Sequence, residues 1–296
     1  MSETELQKEP ILDYEEIQKE FNELVSFACS KLKEDRDIDI KILQDESKKI
    51  CSCGNTINIP NSFKKNVYSG IFDLKLLDNA VNTLKEKYHI HEHSLYIKKV
   101  IYLHSLLAAF FHEYGHIVQG HYFIPKQSDS WKNCCLEYDA DNFVSLSMRS
   151  LLGLQTYISI SYNKDTIIDI MICSLFYLYY YIFSNLKTDP TYPPFSIRVV
   201  VPITVFINST IMEFSDIQNQ VNLNKKINVI LDTTILKKIQ EIRALVLPGF
   251  REINCDIPNN SLEEIKTWFT REDDRQNFLD KVHSIALQEK PFLKKS

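Results

Sequence analysis

At residues 112–116 the chain reads His112-Glu113-Tyr114-Gly115-His116, two imidazoles and a carboxylate in the H-E-x-x-H spacing. On an α-helix, residues four apart lie on one face, one turn above each other. Both imidazoles can then bind one Zn²⁺. Glu113 sits beside that face, where it can take a proton from a water activated at the metal. A catalytic zinc takes three protein ligands and keeps one position open. The third is expected from Leu136-Glu137-Tyr138-Asp139-Ala140-Asp141-Asn142-Phe143. Glu137 and Asp141 are four apart and point one way on a helix. Glu137 can reach the metal, and Asp141 can accept the second ring N–H of a liganding histidine, fixing its tautomer and raising its basicity. Ala140 leaves room for close helix contact. Asp139 faces elsewhere and is the alternative ligand. A solvated acidic helix face would explain these charges, but not their position after the histidine pair.

Such residues need rigid carriers. Residues 94–119 place apolar side chains almost all round a helix (Val100, Ile101, Leu103, Leu107, Ala108, Phe111), which predicts a central, buried element. Ser94 can cap its start and Gly120 can end it. His104, two turns before the pair, reads as a core histidine. Residues 11–35 carry Ile17, Phe21, Leu24, Val25 and Ala28 at helical spacing. Residues 38–42 and 56–60 alternate with period two, which predicts a small antiparallel strand pair across the polar stretch 44–55. Residues 71–88 return to helical spacing. His89, His91 and His93 read as loop residues, since nothing nearby completes a metal site. Helices are expected at about 130–152 and 167–183, then a Pro-rich loop at 189–194. Beyond Pro202 the chain looks helical, clearest at 227–247, with Pro248-Gly249 breaking it. Ser261-x-x-Glu264 is a capping box opening a helix with Trp268. The expected fold is mainly α with a small antiparallel β element, in the α+β class. Its regions are 1–93 (helix and small sheet), 94–200 (catalytic core) and 201–296 (helical), together one unit.

Bulk properties narrow the classes. The chain has 296 residues, 44% hydrophobic and 25% charged, with net charge −5 and the two signs mixed, which gives no electrostatic case for nucleic acid. Only 6 glycines occur, favouring helix over a turn-rich all-β fold. Seven cysteines at scattered spacing do not form a disulfide framework, so a reducing cytoplasm is the simpler setting. Cys51-x-Cys53 has no second pair to complete a metal site, and Cys134-Cys135 reads as packing. The polar, acidic first ten residues are no signal peptide. Residues 167–183 need a membrane decision. The clean apolar part, 170–183, is short for a span and suits a buried core helix.

The same residues carry a family resemblance. His112-Glu113-x-x-His116, the following Gly120-His121, and Glu137-x-x-Ala140-Asp141 resemble the gluzincin pattern of the HtpX heat-shock protease and CAAX prenyl protease family. Downstream, Tyr192-Pro193-Pro194-Phe195-Ser196-Ile197-Arg198 is similar to that family's His-Pro-Pro-x-x-x-Arg segment. A metzincin is disfavoured, because its third histidine would fall at Tyr122, with His121 one residue out of register. The family is mostly membrane-embedded. The motif resemblance covers about residues 94–200, and in size, spacing of the marks and a strand-bearing N-terminal part this chain is closer in outline to the soluble Lit-like phage-exclusion peptidases. The resemblance implies a zincin-like fold and a zinc-dependent endopeptidase acting on a protein substrate, in phage defence by abortive infection. By analogy alone that substrate would be translation elongation factor Tu. It implies that Arg198 faces the site, pairing a carboxylate or holding substrate. Tyr192, where the family has histidine, would donate to the oxyanion or be an inert loop residue. Two other readings stand beside this one: a metal-stabilised binding or toxin module without turnover, and a membrane-associated quality-control protease.

Overall fold

The computed structural model describes residues 13–36, 38–46, 49–90, 94–125, 129–152, 164–183, 192–193, 195–211, 233–252 and 267–293. Its elements are α1 (Tyr14–Arg36), β1 (Lys41–Leu43), β2 (Cys51–Cys53), β3 (Thr56–Asn58), α2 (Asn61–Phe72), α3 (Asp78–Tyr88) and α4 (Ser94–Val118). A 3₁₀ turn (His121–Phe123), α5 (Ser130–Leu152), α6 (Lys164–Phe183), α7 (Phe195–Ile211), α8 (Thr233–Glu252) and α9 (Glu272–Leu293) follow. The fold is mainly helical, with a small three-stranded mixed sheet.

The all-round apolar pattern of α4 makes it the central element. It packs against α1, α2, α3, α5, α6 and the sheet. Leu103, Leu106, Leu107, Phe110, Phe111 and Tyr114, which point in different directions around the helix, are all buried. Among the described residues α4 is the one helix long and apolar enough to cross a membrane, yet 78% of its most apolar window is buried inside the protein. The apolar stretch of α6 is likewise core: every residue from 170 to 180 is buried. Its buried Asp169 accepts hydrogen bonds from Tyr88 (2.5 Å) and Lys87 (3.0 Å) of α3. A carboxylate so partnered can stay in a dry interior.

Three expectations need correction. The two alternating stretches do not form an antiparallel pair. β1 runs parallel to β3, with Lys41 opposite Thr56, and the antiparallel partner of β3 is β2, with Ser52 opposite Ile57. The polar stretch between them therefore contains a strand, and the order β1-β3-β2 leaves β2 at an edge. Residues 71–88 are not one helix. α2 stops at Phe72, and Lys75 takes a left-handed conformation (φ 54°) before α3 begins. Finally, α8 runs through Pro248 and Gly249 to Glu252. Pro248 sits about one turn from the helix end, where few hydrogen bonds remain to be lost. Likewise α7 starts before Pro202 and contains it. The capping box at 261–264, His91 and His93 lie outside the described residues.

Gly120 ends α4 in the left-handed conformation (φ 75°) that glycine adopts without steric cost. It also admits α9. A Cβ built on Gly120 would lie 2.1 Å from the Cβ of Ala286. The start of α9 is anchored on α5 by Arg275, whose guanidinium lies 4.6 Å from the Tyr138 ring and 4.9 Å from the Trp268 ring. The last helix thus closes over the turn that follows the histidine pair.

Gly54 offers a control, since its φ is 59° but a Cβ there meets nothing within 4 Å. Gly54→Ala should cost roughly 1–2 kcal/mol, the left-handed penalty alone. Gly120→Ala adds the collision with Ala286 and should cost measurably more. Urea midpoints of the two variants compare them directly; equal midpoints would refute the tight docking of α9.

Candidate metal centre

The last two turns of α4 present His112 and His116 on one face, with their Nε2 atoms 3.3 Å apart. α5 brings Glu137 opposite them. Its Oε2 lies 3.3 Å from His112 Nε2 and its Oε1 lies 3.6 Å from His116 Nε2. A tetrahedral ion with bonds of about 2.05 Å holds its ligands about 3.3 Å apart. The separations of His112 Nε2 from His116 Nε2 and from Glu137 Oε2 fit that figure, and the other carboxylate oxygen stands 3.6 Å from His116 Nε2. The donor set, two imidazole nitrogens and a carboxylate, also suits a zinc-type ion. Glu137 Oε2 is buried, and its nearest donors are His112 Nε2 at 3.3 Å and Arg198 Nη2 at 3.7 Å, a loose set that a bound cation would improve on. These three residues form one of two groups among the described residues that could hold a metal ion; no ion is identified.

The helices meet closely enough because of what faces what. A Cβ on Gly115 would stand 3.3 Å from Ala140 Cα and 3.2 Å from Phe143 Cβ. With hydrogen at 115 and only a methyl at 140, α5 lies against α4 and the short glutamate reaches the imidazoles.

Asp141 orients the first histidine. Its Oδ1 accepts from His112 Nδ1 at 2.9 Å. Arg198 of α7 grips the same carboxylate, Nε donating to Oδ2 (2.8 Å) and Nη2 to Oδ1 (3.1 Å). This fork is a strong, geometrically specific form of ion pair. The Tyr179 hydroxyl of α6 donates to Oδ1 as well (3.1 Å). Arg198 Nη2 lies 3.7 Å from Glu137 Oε2, so one guanidinium touches both carboxylates. Tyr192 lies with its ring 4.8 Å from the guanidinium carbon, which puts it at the border of the site through Arg198. Asp139 points away, as its place on the helix requires, and meets His121 and His283 instead.

Glu113 faces the sheet. Ser52 of the edge strand β2 donates to its Oε2 at 2.6 Å, and Tyr122 donates to Ser52. Of the residues expected at the site, His112, Glu113, His116, Glu137, Asp141 and Arg198 gather there. Ser52, Tyr122, Tyr179, His121 and His283 were not anticipated as neighbours. Tyr122 and His121 follow the histidine motif directly and offered a signal. Ser52 stood between Cys51 and Cys53, neither of which joins a metal group among the described residues. Tyr179 and His283 come from distant elements and carried no local mark.

No protein-family model, curated protein or solved structure matches this chain.

Burial and neighbouring charge divide the titrating groups. Burial opposes a charge on His112, but Asp141 and Glu137 outweigh it and hold the imidazole up to about 10. Burial instead wins at His116, pulling it down to about 3. Burial would raise Glu137, but the imidazoles and Arg198 pull it to about 2. Burial raises Glu113 above the usual carboxylate value, against the pull of His112 and Ser52.

The proton on His112 stabilises the ion-free fold fully below the ordinary histidine value near 6.5, and that contribution is lost as pH rises through about 10. Across neutral pH, His116 and Glu137 are already bare, so an entering divalent ion displaces one proton, from His112. Zinc affinity should therefore rise about tenfold per pH unit between pH 6 and 8. Calorimetry in buffers of different ionisation enthalpy counts the released protons. Release of none, or of two, would contradict this arrangement.

Proposed function

We propose that the chain is a zinc-dependent endopeptidase that hydrolyses a peptide bond in a protein substrate. One observation carries the reading: a carboxylate that is not part of the ligand triad, Glu113, follows His112 in the chain, lies within electrostatic reach of His112 and Glu137, and is held by the edge strand. A purely structural site has no use for such a group and usually prefers cysteine ligands.

His112, His116 and Glu137 would hold a Zn²⁺ ion, which would supply Lewis acidity toward the scissile carbonyl and a lowered pKa for water. Glu113 takes the proton of the attacking water as its oxygen bonds to the carbonyl carbon. Glu113 then gives that proton to the departing nitrogen as the C–N bond breaks. Partial burial tunes Glu113 for both halves of the task, raising its proton affinity, while Ser52 favours its ionised form. Asp141 and Arg198 act at one remove, keeping His112 turned toward the ion position. Tyr192 keeps the oxyanion role only through its family resemblance.

The sheet supports a substrate class. β2 is an edge strand that packs against α4, and its central residue touches Glu113. An extended peptide adding itself to that edge would pass the catalytic carboxylate, with main-chain hydrogen bonds setting its direction. An unfolded or loop segment of a protein fits this mode; a small molecule would not use it.

Glu113→Gln should bind one zinc like the unaltered protein and lose at least about 100-fold in cleavage. The check compares new protein termini in cells expressing each form, alongside metal analysis of both. Equal cleavage by the variant would refute the assigned base. Ser52→Ala removes a hydrogen bond that lowers Glu113, so the acidic limb of kcat/KM should move to higher pH. An unmoved limb would separate Ser52 from the base.

A further inference from the structure

A second group of ligand-type side chains lies behind the first. His121 comes from the 3₁₀ turn, Asp139 from α5 and His283 from α9. The Nε2 atoms of both imidazoles converge on one oxygen, Asp139 Oδ2, at 3.1 Å and 2.7 Å. All three ligand atoms lie within 4.8 Å of one another. The Asp139 carboxylate thus bridges the two imidazoles. The His121 and Asp139 side chains are buried (4% and 11% exposed), whereas His283 is 37% exposed and opens the group to solvent. Two imidazoles and a carboxylate suit zinc, cobalt or nickel.

His116 links this group to the first. Its Nε2 faces the first triad, while its Nδ1 lies 2.7 Å from His121 Nδ1. Only one proton fits between two nitrogens at that distance. An ion on His116 Nε2 leaves the proton on His116 Nδ1, donated to the lone pair of His121 Nδ1. Neutral His121 must then carry its own proton on Nε2, which donates to Asp139 and cannot bind a metal. An ion on His121 Nε2 demands the reverse: the shared proton belongs to His121, and His116 carries its other proton on Nε2, facing the first triad. With both ions bound, two N–H groups would collide, or one ring would have to lose its last proton.

We propose that His121, Asp139 and His283 form a second divalent-metal site that competes with the first through the single proton between His116 and His121. This rests on the first triad being a metal site, as proposed above. Binding at one site weakens the other, and linkage makes the effect reciprocal. With one ion present, the first site holds it and the second group serves as a hydrogen-bonded buttress for His116. In metal excess the second group loads weakly from its exposed side.

The test adds Co²⁺ stepwise to the metal-free full-length chain and follows its visible absorption and bound stoichiometry. The unaltered protein should take one equivalent tightly and a second weakly, and His283→Gln should lose only the second. His112→Gln, or independently Glu137→Gln from the other helix, should lose the tight equivalent. Each should bind the remaining one about tenfold more tightly than the second equivalent of the unaltered protein. Adding His283→Gln to either should abolish binding. A second equivalent that survives His283→Gln overturns the site. An affinity unchanged by loss of the first triad overturns the competition. If the tight equivalent survives both His112→Gln and Glu137→Gln, the first-site reading itself fails, a separate result.

Discussion

The closeness of α4 and α5 is the constraint on which the rest of the molecule depends. Gly115 has no side chain, and Ala140 and Phe143 occupy the space that one would fill. Only at that separation does a glutamate on one helix come within 3.3–3.6 Å of imidazoles on the other. A longer approach would leave His112, Glu137 and Asp141 as separate polar groups in a dry interior, each costly. The contact turns them into one mutually compensating cluster. The apolar surface of α4 and α6 excludes water around that cluster and strengthens every interaction within it.

Charge within the cluster is balanced, and the balance bears on the chemistry. In the ion-free protein, protonated His112 and Arg198 face ionised Glu137 and Asp141, so the four charges cancel. A divalent ion that displaces the His112 proton leaves one positive charge over. That excess favours the ionised form of Glu113, against the burial that raises its pKa. Arg198 is not interchangeable with lysine here, because its fork reaches both oxygens of Asp141 and also approaches Glu137.

Much of this was legible in the residues before any coordinates. The histidine pair, Glu137 and Asp141 share helical spacing, and spacing on a helix fixes direction. The burial of α4 followed from apolar residues on every face, and Gly120 marked its end. The sheet was harder. Strands of three residues carry too little pattern to specify partner or direction, so the parallel pairing of β1 with β3 was not readable. Ser52 was hidden because its role depends on where an edge strand lands against a helix. His283 and Tyr179 belong to helices whose sequences advertise only packing. They reach the cluster through tertiary docking that no local rule encodes. Gly120 shows both levels at once: its helix-ending role was visible, but its accommodation of Ala286 on a helix some 160 residues later was not.

The central claim is that α4 and α5 share one divalent ion through His112, His116 and Glu137. Anomalous diffraction at the zinc absorption edge, from crystals grown with one equivalent of zinc, tests it most directly. The account predicts a single peak about 2.0–2.2 Å from both Nε2 atoms and the Glu137 carboxylate. Zinc lodged elsewhere, or bound to the histidines with Glu137 turned away, would contradict it.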